Sequence, residues 1–95
     1  MLHTLINSPF KSNMVLLLNF LKKSDDLLAL QDGVLIAVNN NCFLRKLLDS
    51  SANLYVLKED IEARGLCNKI TTEFVVIDYQ KFVFLTEKHK QQMNW

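Results

Sequence analysis

Few side chains in this sequence are placed for chemistry. Two cysteines, Cys42 and Cys67, and two histidines, His3 and His89, are its only soft or near-neutral titrating groups. A cysteine attacks as a thiolate, which needs a helix N-terminus, a nearby cation or an adjacent base. Cys42 precedes Phe43 at the start of an expected helix and reads as buried apolar filler. Cys67 follows Gly65-Leu66 and precedes Asn68-Lys69. Lys69 would favour its thiolate, but nothing supplies a general base, so a structural role is expected there too. His3 and His89 stand alone, and no Cys/His pair has the spacing of metal ligands. His3 falls in an apolar run and reads as a satisfied core histidine. Asp25 and Asp26 are adjacent, so on a strand they point to opposite faces and do not form a paired acid and base. They read as the solvated start of a strand. With two glycines in the chain, no glycine-rich loop is available to wrap a phosphate.

Composition narrows the field further. A chain of 95 residues has room for one core, so residues 1–95 are expected to form a single domain. Eleven basic and ten acidic side chains leave a net charge of +1, too little for a strong non-specific grip on nucleic acid. Two cysteines cannot build a disulfide scaffold, which favours a reducing compartment. The first ten residues carry no Lys or Arg and contain Pro9, unlike a signal peptide. The longest nearly apolar run, residues 14–21, is broken by Asn19 and falls short of the ~18 residues a membrane span needs. A cytoplasmic protein without membrane or direct nucleic-acid contact is expected, with no cofactor.

The elements that would position these groups follow from pattern and punctuation. Residues 1–6 are short, apolar and β-tolerant. Ser8 and Pro9 suit the N-cap and first position of a helix whose inward stripe is Phe10, Met14, Leu17, Leu18 and Leu21, with Lys22-Lys23 in the last turn. Residues 27–30 read as a strand buried on both faces. A brief helical segment over 34–38 and a helix over about 42–48 come next. Residues 54–57 form the third strand. Asp60 is expected to cap a helix over 61–64, stopped by Gly65. Residues 74–77 are the fourth strand and the clearest β-branched run. Asp78 caps a last helix from Tyr79 to about Lys88, with Phe82, Val83 and Thr86 on one face. Met93-Asn94-Trp95 end a polar tail. Apolar strands alternating with helices predict a small three-layer α/β/α sandwich, its mainly parallel sheet having four to five strands.

The first helix also carries Val15, Leu16 and Phe20 away from its inward stripe. One sheet cannot cover both sides of a helix in so small a domain, so these residues are candidates for a partner surface. Trp95 joins them, because Trp is enriched among interface anchors. The charged segment 58–65, with Glu62 and Arg64, begins where a strand ends. It reads either as a capped surface helix or as a polar contact to a neighbouring subunit.

Several blocks are familiar together: Met1-Leu2-His3-Thr4-Leu5 with Ser8-Pro9-Phe10, Asp26-Leu27-Leu28, Leu30-Gln31-Asp32-Gly33-Val34, the run from Leu57 to Leu66, Ile77-Asp78-Tyr79, Phe82-Val83, Leu85-Thr86, His89 and the terminal Trp95. They closely resemble the DsrH branch of the DsrE/DsrF/DsrH sulfur-relay family over the whole chain. The resemblance implies a parallel-sheet sandwich and a non-catalytic subunit, bound to TusC- and TusD-like chains in a dimer of heterotrimers. In that relay the TusD-like chain takes persulfide sulfur from TusA and passes it toward TusE. MnmA then thiolates the wobble uridine of tRNA. Ser12 stands where some similar proteins of sulfur oxidisers carry a cysteine. The alternatives are a direct persulfide carrier through Cys67 and a flavodoxin-like ligand domain. The scarcity of glycine argues against the latter.

Overall fold

The computed structural model describes residues 1–95. Five strands, β1 (Leu2–Leu5), β2 (Asp26–Ala29), β3 (Asn53–Leu57), β4 (Val75–Ile77) and β5 (Gln92–Asn94), form one sheet in the order β4-β3-β2-β1-β5. Every pairing is parallel, as the family resemblance and the apolar strands imply. Helices α1 (Met14–Phe20), α2 (Leu44–Asp49), α3 (Lys58–Ala63) and α4 (Tyr79–Lys88), and a 3-10 segment (Gln31–Ala37), make the connections.

The strand order decides which helix covers which face. From β1 to β4 the chain steps steadily toward one edge. Right-handed crossovers therefore put α1, the 3-10 segment, α2 and α3 on one face. The return from β4 to β5 runs the other way, so α4 lies on the opposite face. The first face holds a cluster of 14 buried residues, including Leu5, Leu17, Leu27, Ile36, Val56 and Ile61. The second holds six, among them Leu2, Leu28, Leu57 and Leu85. One helix therefore serves a whole face of the sheet. Gly33 brings the 3-10 segment onto the end of β1. A Cβ there would lie 1.9 Å from the Leu5 carbonyl oxygen, and its N–H donates to the Ile6 carbonyl at 3.1 Å.

Four expectations need correction. The first helix starts at Met14, not after Pro9. Ser8 and Ser12 bind local backbone groups, which turns the chain over residues 8–12, and the Asn13 carboxamide oxygen caps the helix by accepting from Leu16 N–H at 3.1 Å. Phe10 is consequently outside the inward stripe and 73% exposed, and Lys22-Lys23 follow the helix instead of ending it. Asp60 does not cap α3, because that helix begins directly at Lys58 and leaves Asp60 in its third position. Leu85, not Val83, is the buried residue of α4. The polar tail is strand β5. Its register, Leu2↔Gln92 to Thr4↔Asn94, makes β1 an interior strand, and mutual backbone bonds between Trp95 and Thr4 and Ile6 extend the pairing.

Candidate functional site

At the carboxyl ends of the strands, where such sheets place chemistry, charged groups brace loops to one another. The Asp60 carboxylate accepts from the N–H of Gln31, whose φ of 52° is strained for a residue with a side chain. Arg64 donates to Asp32 at 3.1 Å and reaches the Asp60 carbonyl at 3.5 Å. The Glu59 carboxylate accepts from Tyr79 N–H at 3.3 Å, at the start of α4. Gly65 (φ 65°) and Leu66 close α3 by donating to Glu62 and Ile61, a Schellman pair. Arg64 is thus engaged inside the chain, whereas Glu62 is exposed. A cleft of about 200 Å³ lies beside α3, lined by Lys58, Ile61, Glu62, Cys67, Ile70 and Val76. Cys67 is an exposed free thiol there. Cys42 is also exposed, so it is not core filler. No group of three or more His, Cys, Asp and Glu is arranged to hold a metal ion.

The amino ends of β1 and β2 hold the buried ionic groups. Asp25 and Asp26 do point to opposite faces, but neither is solvated. Asp25 accepts from His3 Nε2, the Met1 ammonium and Lys22 N–H, each at 3.1 Å. The indole N–H of Trp95 donates to His3 Nδ1 at 3.1 Å. An indole N–H cannot accept, so Nδ1 is the unprotonated nitrogen and Nε2 carries the proton given to Asp25. Both nitrogens of the fully buried His3 are used, as expected of a core histidine. Asp26 is fully buried and contacts His89 Nε2 at 2.6 Å, Asn53 Nδ2 at 2.8 Å and Lys88 Nζ at 3.4 Å. Burial would raise both carboxyls, but it is outweighed. The bonds from His3, the ammonium and Lys22 N–H hold Asp25 below its ordinary value, and those from His89 and Asn53, with the charge of Lys88, do so for Asp26. These Asp–His pairs tie segments together, and in His3 they leave neither ring nitrogen free for a substrate.

The largest unexplained feature is the outer side of α1. Met14 and Leu17 face the core, while Val15 is 73% exposed and Leu16 and Phe20 each 43%. Phe10 meets Phe43, ahead of α2, at a ring separation of 6.2 Å. Trp95 packs 5.9 Å from the Phe20 ring and 6.2 Å from His3, half-buried and not a loose tail. The structure therefore brings Phe20 and Trp95 together, with Leu16 one turn away on α1 and Val15 exposed on the same helix, and leaves Glu62 and Arg64 on α3. Further exposed apolar residues escaped the sequence reading: Val75 on edge strand β4, and Tyr79, Val83 and Phe84 on α4. The β-branched run at 74–77 read as a strand without a place in the sheet, and only the sheet order reveals that it is an edge.

A model of the family described as "DsrH like protein" matches residues 7–92. The chain belongs to the DsrH-like family. Among relatives of this DsrH-like chain, Protein TusB of Buchnera aphidicola from Acyrthosiphon pisum is 56% identical over 95 residues, and Protein TusB of Escherichia coli is 46% identical over 95. Both alignments cover 100% of each chain. A solved structure of a protein of unknown function from Methanobacterium thermoautotrophicum shares the fold, with a TM-score of 0.75 at 11% identity over 99% of this chain and 97% of that one. No helix of the DsrH-like chain is long and apolar enough to cross a membrane.

Proposed function

We propose that this DsrH-like chain is a non-catalytic, cytoplasmic subunit of a TusBCD-type sulfur relay, required for 2-thiolation of the wobble uridine of tRNA. It acts as one domain over residues 1–95. It binds TusC- and TusD-like chains in a dimer of heterotrimers and is linked only indirectly to TusA, TusE and MnmA. Its likeness to proteins named TusB along the full chain supports the pathway. The observation that carries the subunit role is the apolar outer side of α1, exposed in the lone chain. The test is co-expression with TusC- and TusD-like chains, then sizing. Co-elution is expected, and a chain that elutes alone in every combination would refute the reading.

A second reading has one observation in its favour. Cys67 is an exposed free thiol that lines the cleft beside α3. As a carrier, its thiolate would attack the outer sulfur of a donor persulfide, the donor S–S bond would break, and the donor thiolate would leave. Cys67→Ser separates the two readings. Rescue of tRNA 2-thiolation in cells lacking the native gene is expected for a scaffold and excludes the carrier.

A further inference from the structure

The apolar side of α1 is edged mainly by positive charge. Between residues 10 and 24 the chain carries Lys11, Lys22 and Lys23 and no carboxylate. α2, tied to this side through the Phe10–Phe43 contact, adds Arg45 and Lys46. All five cations are exposed, and none takes part in an ion pair. Asp49, at the end of α2, is the one exposed and unpaired carboxylate beside them, and the other nearby acids are engaged elsewhere. Asp25 and Asp26 are buried against histidines, and Asp32 holds Arg64. A net charge of +1 thus conceals a cationic frame around exposed Phe10, Val15, Leu16 and Phe20.

We infer that this face docks a protein surface of complementary build, with an apolar centre and carboxylates along its rim, carried by the TusC- or TusD-like partner. The inference rests on the subunit reading above and adds the partner's chemistry to it. Rim charges of opposite sign steer two surfaces into register and exclude partners with a basic rim. Duplex nucleic acid fits less well, because its phosphate backbone would meet the apolar side chains at the centre of the patch. An anionic membrane also fits less well. α1 is seven residues long, about 10 Å, and its Met14 and Leu17 side is already committed to the core.

The experiment reconstitutes the complex from the full chain and its TusC- and TusD-like partners, and measures association and dissociation rates at low and high salt. Lys11→Glu with Lys22→Glu and Lys23→Glu is expected to slow association on the order of tenfold at low salt, with the difference fading at high salt. Thermal unfolding of the variant should match the parent, since no ion pair is lost. If the reversed variant is unstable, the same three positions changed to Gln give the comparison, with a smaller slowing expected. Val15→Asp with Leu16→Asp should act mainly on dissociation. A complex that forms at equal rates with and without the lysines would overturn the acidic-rim inference and leave the subunit reading intact. Failure of the parent chain to form any complex would overturn both. Lysine-dependent binding to phosphatidylglycerol vesicles or to tRNA, with complex formation indifferent to the lysines, would likewise overturn it and assign the face to that surface.

Discussion

At the scale of single residues, Asp25 and Asp26 do related work on opposite faces of the sheet. Each holds a histidine: His3 in β1 for Asp25, and His89 at the end of α4 for Asp26. Asp26→Asn removes a buried charge acceptor while keeping the side chain's shape. It should cost about 1.5–3 kcal/mol at neutral pH, the range for hydrogen bonds to charged groups, read from urea unfolding. The pH dependence has a definite sign. A carboxyl lowered in the native state binds its proton more readily in the unfolded chain, so its stabilisation is present above the unfolded value of about 3.8 and is lost as pH falls through the lowered native one. The gap between parent and Asp26→Asn should therefore be full at pH 6–7 and shrink below about pH 4. Trp95→Phe tests the other pair. It keeps an aromatic ring against Phe20 but leaves buried His3 Nδ1 without its donor, a loss of about 1–3 kcal/mol visible by circular dichroism.

At the scale of elements, α3 shows how far local chemistry carries. Its C-terminal stop was legible because Gly65 followed by Leu66 fits a left-handed cap, and Gly65→Ala should cost roughly 1–2 kcal/mol in thermal unfolding. Its start was not legible. An aspartate can cap its own helix or reach across to a neighbouring loop, and Asp60 reaches Gln31, 29 positions away in sequence. Arg64→Glu and Glu62→Lys should consequently differ. The first sets a carboxylate beside Asp32 and Asp60 and destabilises by about 1 kcal/mol, whereas the second stays within about 0.5 kcal/mol. The same limit hid β5. Its three residues, Gln92–Asn94, lack a β-branched or alternating signal, and they form a strand because β1 offers an unpaired edge. The cap of α4 at Asp78 and the inward residues of β2 and β3 were readable because they depend on near neighbours alone.

At the scale of the whole molecule, the two faces of the sheet are unequally dressed. α1 presents Val15 and Leu16 outward on one face, and β4 with α4 presents Val75, Tyr79 and Phe84 across the other. The two-sided first helix was legible in the sequence because its apolar residues outnumber those one sheet can cover. Phe20 is less free than that pattern implied, since it packs against Trp95. Val15→Asp with Leu16→Asp is therefore a cleaner probe of assembly than changes at Phe20. The pair should leave thermal unfolding of the lone chain within about 0.5 kcal/mol while weakening recovery of TusC- and TusD-like chains in pull-down.

The place of β5 beside β1 has a kinetic consequence. Thr4 and Asn94 are hydrogen-bonded although 90 positions apart, so β1 receives its second neighbour only after nearly the whole chain is ordered. Closing so long a loop is entropically costly, and all-parallel pairings give a high contact order, both of which slow folding. β1 should spend the refolding reaction half-paired, with the His3 pocket open until the last strand arrives. Trp95 is the only tryptophan and packs into that pocket, so its fluorescence is a private reporter of the final docking. In stopped-flow refolding, that signal should lag behind the far-ultraviolet dichroism of the helices. Coincident traces would mean that the sheet closes in one step.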